Sequence, residues 1–263
     1  MRVFHRTRQI MNQLRYLLLL SLLFLSCAST PEKTAVRWRV GADLANPPFA
    51  WVEEDGEVRG RDVEMAQALA KDMGVELVWV RMDFDRLLDS LAAGEIDSVI
   101  ATLGSTPERA TRVLLSMPYY STSLRALVRV GEKEPKSLDE LAGRPVSAGL
   151  GTTSELALRA RLPQAIVAKP SEKGTTSIER LLAGEVDALV MDGPDALDYA
   201  REQPEELAVL QTALAQENYV VAIRPDAQDW LLRINSALAR MHAAGKLKEL
   251  DRKFGLEASR SEN

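Results

Sequence analysis

A chain of 263 residues with 46% apolar and 27% charged residues has the balance of a folded globular protein, which excludes the disordered and fibrous classes. Its net charge of −5 hides a contrast: residues 1–26 carry Arg2, Arg6, Arg8 and Arg15 and no acid, leaving 29 basic against 38 acidic residues, or −9, for the remainder. So acidic a body lacks the phosphate-neutralising face of a nucleic-acid binder, and no basic amphipathic helix suits it to a membrane surface.

Residues 1–26 read as a signal peptide. A basic start is followed by the apolar run from Leu17 to Leu25 and then by Ser26-Cys27-Ala28-Ser29. The run is too short to cross about 30 Å of hydrocarbon comfortably. Cys27 is the sole cysteine, so no disulfide forms within one molecule. Its position points to a bacterial lipoprotein signal in which Cys27 is lipidated and begins the mature chain. Phe24 and Leu25 are bulkier than such signals usually carry, and cleavage near Ala28 with release is the alternative. Residues 27–35 form a polar tether containing Pro31. An exported protein, periplasmic or at the cell surface and held by lipid on Cys27, is expected.

In the mature chain, Arg37 to Ala42 alternates and predicts a strand. Asp62 to Ala70 has helical spacing, with Asp62 placed as its cap and Gly74 as a left-handed stop. Val75 to Val80 predicts a second strand, Phe84 to Ala93 a helix stopped by Gly94, and Ile96 to Ala101 a third strand. Strand alternating with helix implies parallel pairing with right-handed crossovers. A near-repeat reinforces this: LAAGEIDSVIA at 91–101 and LLAGEVDALVM at 181–191 share a helix end, a glycine stop, an acid and a buried strand. Two α/β lobes of similar design are therefore expected. Ser123 to Val130 and Asn218 to Ile223 read as extended crossings between them, and helices near 226–243 and 245–254 return to the first lobe. Lobe one is 36–120 plus 220–256, lobe two is 125–216, and 257–263 is a flexible tail.

Ligands in open parallel sheets bind beyond the carboxyl ends of the strands. There the chain offers Asp43 to Phe49 after the first strand and Thr102, Gly104 and Arg109 after the third. Thr106 caps a helix there, with Pro107 at its first position. In the second lobe Val146-Ser147-Ala148 leads into Gly149-Leu150-Gly151-Thr152-Thr153-Ser154, a turn with backbone N–H groups suited to an anion, and the second repeat ends at Asp192. Arg109 with the amides near Thr153 can hold a carboxylate, while Asp43 and Asp192 can hold an ammonium: the two ends of an α-amino acid. Singly, each has a bland reading as a surface or turn residue; their convergence at strand ends favours the site.

These fragments carry a resemblance. Asn46-Pro47-Pro48-Phe49, Gly60 with Asp62, Gly94-Glu95-Ile96-Asp97, Thr106-Pro107-Glu108-Arg109, Pro118-Tyr119-Tyr120, Gly151-Thr152-Thr153 and Val186-Asp187-Ala188 stand in an order and spacing similar to the polar-amino-acid-binding proteins of bacterial ABC importers, family 3 of the extracellular solute-binding proteins. The resemblance runs from about 37 to 256. It implies a two-lobed type II periplasmic binding protein fold, with parallel-sheet lobes joined by a two-segment hinge. It also implies a monomer that hands an amino-acid-like ligand to an ABC permease. On this resemblance Arg109 binds the ligand carboxylate, Asp192 and Asp43 the ammonium, and Phe84 packs on its side chain; Asn46, Thr102, Gly104, Thr152 and Thr153 complete the lining. Four positions depart from the family pattern: Gly104 where Thr is usual, Arg61 where Phe is usual, Asn46 where an aromatic often stacks, and Gly149 where some members carry a polar or basic side chain. Typical polar-amino-acid specificity is thereby put in question, and Gly104 and Gly149 are read as lost bulk that admits a larger ligand or water.

The rivals are an enzyme on the same fold, similar to cyclohexadienyl dehydratases, with Asp195 and Glu155 as its acids, and a sensory module reporting to a membrane partner. No catalytic residue, metal or cofactor is expected. Beyond the leader only His242 remains of the histidines and no cysteine beyond Cys27, so a Cys/His zinc site is not available, and no Gly-x-Gly-x-x-Gly follows a strand. Mass spectrometry of membrane-extracted protein is expected to show residues 1–26 removed and lipid on Cys27. A mature N-terminus at Ser29, or an unmodified Cys27, overturns anchoring and leaves export standing.

Overall fold

The computed structural model describes residues 35–171 and 175–257. The signal peptide, Cys27, the tether up to residue 34 and the tail from 258 lie outside the described residues. No helix among the described residues is long and apolar enough to cross a membrane.

The chain opens with β1 (Arg37–Ala42), where the alternation places it. A small antiparallel sheet follows, β2 (Ala45–Asn46), β3 (Ala50–Val52) and β4 (Val58–Arg59), folding the Asn-Pro-Pro-Phe segment back on itself. Helix α1 (Arg61–Met73) ends at Gly74 in the left-handed conformation. Next come β5 (Glu76–Arg81), a single 3-10 turn at Phe84–Arg86, α2 (Leu87–Ala92) and β6 (Ser98–Val99). Helix α3 (Pro107–Arg112), capped by Thr106 as expected, leads to β7 (Leu114–Leu115) and the long β8 (Tyr120–Arg129). The middle of the chain supplies β9 (Pro145–Ala148), α4 (Thr153–Arg161), β10 (Ile166–Val167), α5 (Ser177–Leu182), β11 (Ala188–Asp192), α6 (Gly193–Glu202), β12 (Leu207–Val209) and β13 (Ala215–Tyr219). The chain then forms β14 (Ala222–Ile223), α7 (Gln228–Ala243) and α8 (Lys246–Lys253).

Two mixed sheets result. The first has the order β5-β1-β6-β14-β7, and the second β10-β9-β11-β8-β12 with β13 also on β8. The parallel crossovers expected from the sequence are β5-β1-β6 and β10-β9-β11. Each sheet is extended on its other side by antiparallel strands.

The near-repeat is a real equivalence. Gly94 and Gly184 both have φ +77, a conformation that a side chain disfavours. Each lets its helix turn so that Glu95 N–H reaches Ser90 O at 3.0 Å and Glu185 N–H reaches Arg180 O at 2.9 Å. Asp97 and Asp187 immediately precede β6 and β11 alike, their amides 2.8 Å from carbonyls of the parallel neighbours, Arg39 and Pro145.

Two sequence expectations are corrected. Ser123 to Val130, read as a crossing, lies almost wholly within β8 at the heart of sheet two. The passage between sheets is shorter and runs beside the second one: Tyr119 N–H bonds Tyr219 O at 3.0 Å, and β13 pairs Tyr219 with Tyr120. Asp62 is not the cap of α1; Gly60 holds that position and Asp62 is buried in the first turn.

The cause is Arg61, whose side chain turns into the core of the first sheet's side, where Trp38, Met65, Leu69, Ile100 and Leu238 pack. Arg61 and Asp62 are both 0% exposed. Arg61 Nε donates to Asp251 Oδ1 at 2.9 Å, Nη1 to Asp62 Oδ1 at 3.1 Å and Nη2 to Tyr119 O at 3.0 Å. Tyr119 Oη donates to Asp62 Oδ2 at 2.6 Å, and the guanidinium lies 5.2 and 5.3 Å from the centres of the Tyr119 and Tyr120 rings. The network joins α1, α8 and the start of β8. Removing one member of a buried ion pair costs about 3–5 kcal/mol, because its partners stay buried without compensation. Arg61→Ala is expected to lose that much in urea unfolding. A loss under about 1 kcal/mol would show that the network is solvated.

Candidate functional site

The strand ends of both sheets border one cavity of about 700 Å³. Asp43 follows β1, Thr102 follows β6, the Gly149–Thr153 turn follows β9, and Asp192 ends β11. The 3-10 turn after β5 brings Phe84 to the same space. Every residue proposed from the sequence, Asp43, Asn46, Phe84, Thr102, Gly104, Arg109, Thr152, Thr153 and Asp192, lines it. Leu44 (φ 52) and Thr102 (φ 47) adopt left-handed backbone beside the cavity, a strained geometry common where a binding surface must be shaped.

Arg109 is the one cationic side chain among the described residues that line the cavity. The Thr106 cap accepts its backbone N–H at 3.1 Å, fixing the start of α3. Its guanidinium is buried: Nη1 donates to Gly104 O at 2.6 Å and Nη2 to Gly151 O at 3.2 Å, with the Phe84 ring centre 5.9 Å away. Burial lowers its pKa, against the opposing pull of Glu217, Glu108 and Asp192. Carbonyl dipoles orient this guanidinium without cancelling its charge, which leaves it suited to an incoming carboxylate. The first amides of α4, at Thr153 and Ser154, belong to residues that border the same space, and helix geometry gives them no intrahelical partner.

The other charges are acids. Asp192 accepts a short hydrogen bond from Tyr219 Oη, yet burial raises its pKa. Burial likewise raises Asp43, with the amides of Leu44 and Ala45 pulling the other way. Asp195, weighed from the sequence as an acid of the enzyme reading, lines the cavity; what that reading missed is the polar stripe of α6 that continues from it, where Asp198, Tyr199 and Glu202 follow at helical spacing. That stripe is visible as a period in the sequence; which way α6 faces is not. Asp195 is pushed up to about 8, first by burial and then by the charges of Asp192, Asp198 and Asp43.

Asn46 Nδ2 donates to Thr102 Oγ1 at 3.1 Å, so Asn46 braces the left-handed Thr102 where a stacking ring was the alternative. Thr152 caps α4 and donates to Gly149 O at 2.7 Å. Glu155, the other acid considered for catalysis, is held away from that role. Arg159 bonds it at 2.7 Å and lowers its pKa, with help from the Gly151 amide at 2.9 Å. The reading of Gly104 and Gly149 as vacated bulk is also corrected. A Cβ on Gly104 would sit 2.1 Å from Glu217 Oε1, and one on Gly149 would sit 3.0 Å from Thr152 Cγ2. Neighbouring side chains already fill both spaces. Arg61 lies in the core network and does not line the cavity.

A cavity bordered by the strand ends of two α/β sheets, with one buried cation and several acids, defines a two-lobed solute-binding protein. The chain belongs to the bacterial extracellular solute-binding proteins, family 3, whose model matches residues 38–257. It is 34% identical over 223 residues to the L-cystine-binding protein TcyJ of Escherichia coli (strain K12), covering 84% of each chain. Among solved structures it resembles an ancestral arginine-binding protein bound to glutamine, with TM-score 0.74 and 32% identity over 84% of this chain and 98% of that one. It also resembles an ancestral amino-acid-binding protein described as a precursor of cyclohexadienyl dehydratase, with TM-score 0.72 and 31% identity over 83% of this chain and 94% of that one.

The raised Asp195 makes a pH prediction. An acid with a folded pKa of about 8 and an unfolded one of about 3.9 holds its proton more tightly when folded, so stability falls as pH rises through that interval. Asp195→Asn removes this penalty. Between pH 5 and 9 the variant's melting temperature is expected to fall less than wild type's, by a few degrees. Parallel curves would place Asp195 in water.

Proposed function

We propose that the protein captures an amino acid in this cavity and delivers it to an ABC importer. The observation that carries the reading is that Arg109, Asp43 and Asp192 all line one cavity, offering a cation for the carboxylate and acids for the ammonium of an α-amino acid. The surplus of acids along α6 favours a ligand with a second positive group, such as the guanidinium of arginine or the second ammonium of cystine. The names of the relatives, which mention arginine, glutamine and cystine, agree with an amino-acid ligand. The body is a monomer carried on a lipid anchor at Cys27. Residues 36–120 with 220–256 close against 125–216 about the paired passages near Tyr120 and Tyr219, because a ligand touching both sides favours the closed state through its differential contacts.

A second reading, acid catalysis of the dehydratase type, rests on Asp195, which keeps its proton near neutral pH inside the cavity. Turnover of prephenate or arogenate by the purified protein is its test, and binding of these acids without turnover sets it aside.

Arg109 decides the capture reading. Truncating one partner of a desolvated charge pair costs about 2–5 kcal/mol of affinity, which is about 30-fold to several thousand-fold. Calorimetry with arginine, lysine, cystine, glutamine and glutamate is expected to rank the cationic ligands above glutamate. Arg109→Ala nearly abolishes binding, and Arg109→Lys restores part of it, since an ammonium cannot copy the bidentate grip. Wild-type affinity in Arg109→Ala would overturn the assignment of the carboxylate.

A further inference from the structure

Glu217 lies behind the cavity wall on β13 and is 5% exposed. Its Oε1 accepts a hydrogen bond from the Thr153 hydroxyl, and its buried carboxyl abuts that of Asp192 within hydrogen-bonding reach. Gly104 bridges to Tyr219 in the strand register, which brings its Cα directly under the Glu217 side chain. A Cβ on Gly104 would meet Glu217 Oε1 at 2.1 Å and Thr153 Cγ2 at 2.8 Å. Gly104 belongs to the loop after β6 on the first sheet and Thr153 to the start of α4 on the second. Glu217 therefore sits where a residue of the first side, Gly104, and one of the second, Thr153, come together. The charged groups that face it are Arg109 from α3 and Asp192 from β11; Tyr219, on the same strand, is bonded to Asp192, and the titratable Asp195 from α6 lies near that tyrosine.

We propose that Glu217 is a positioning residue of the ligand site. From β13 it fills the space over Gly104, holds Thr153 and presents a buried carboxyl between Arg109 and Asp192, so that closing the cleft takes up a proton. The inference rests on the capture reading and adds to it a group that reads pH. Two abutting acids cannot both stay charged out of water at low cost. Burial first, and then Asp192, push Glu217 up to about 8, against the weaker pull of Thr153 and Arg109. In an open, wetted cleft a glutamate titrates near its ordinary value of about 4.3. Between those values closing takes up as much as one proton, and affinity falls as pH rises, by at most about tenfold per pH unit.

The absence of a side chain at position 104 and the presence of an acid at 217 are thus one feature. A residue with a Cβ at 104 would force Glu217 out of its place, and Thr153 would lose the bond that orients its hydroxyl.

The test uses the mature protein with L-arginine as the probe, by calorimetry from pH 5 to 9 in buffers of different ionisation enthalpy. Glu217→Gln, which keeps the shape of the neutral acid, is expected to match wild type near pH 5, to bind several-fold more tightly above pH 8, and to take up close to one proton fewer on binding. Gly104→Ala is expected to weaken binding by about tenfold or more, and adding Glu217→Ala recovers part of that loss. Unchanged proton uptake in Glu217→Gln, or no recovery in the double variant, overturns the proposal. A second arm needs no ligand. In the open, ligand-free cleft Glu217 holds its ordinary pKa, so the melting-temperature gap between Glu217→Gln and wild type should stay flat from pH 5 to 9. A flat gap supports the proposal even if arginine fails to bind, a failure that counts against the capture reading instead. A widening gap shows the acid raised before closure and overturns the proposal whether or not arginine binds.

Discussion

Taking the Arg109 guanidinium out of water is the constraint around which the site is built. Desolvation disfavours the charged form, and the chain answers with carbonyl oxygens from both sides of the cavity, Gly104 O and Gly151 O. These dipoles fix its direction without neutralising it. The Thr106 cap, the Phe84 ring and the turn before α4 each help hold it at the cavity wall. The surrounding acids, Asp43, Asp192 and those of α6, leave the cavity with a charge pattern that a zwitterion completes.

Arg61 shows the alternative solution to the same problem. It is buried more deeply, and there Asp62 and Asp251 cancel its charge while Tyr119 O takes another donor. Nothing is left over for a ligand, and the result is a clamp between helices. Arg61 and Arg109 thus differ in what compensates them: carboxylates in the core network, carbonyls at the cavity.

Much of this is legible in the amino-acid order alone. The alternation of Arg37 to Ala42, the helical spacing after Gly60 and the stops at Gly74 and Gly94 are local signals, and they set the strands and helices of sheet one. The strand-end rule then locates the cavity lining, because loops after parallel strands have few other places to go. What stays hidden is non-local. Arg61 finds Asp251 190 residues away, so its inward turn leaves no trace in the pattern around Gly60, and Asp62 passes for a cap. The polar face of α6 needs a packing partner before it can be assigned a direction. Gly104 shows only that a side chain is missing, whereas the filler of that space, Glu217, sits on β13, one residue before the extended segment that local signals start at Asn218.

The pairing of the two interlobe passages has a mechanical consequence. Tyr119 and Tyr120 run beside Tyr219, joined by backbone hydrogen bonds and by the stacked rings of Tyr120 and Tyr219, 5.5 Å apart. Two threads tied in this way behave as a ribbon. A ribbon flexes readily across its thin dimension and is stiff against sliding within its plane. A joint of this kind would act as a leaf spring, giving the proposed closure one soft bending mode.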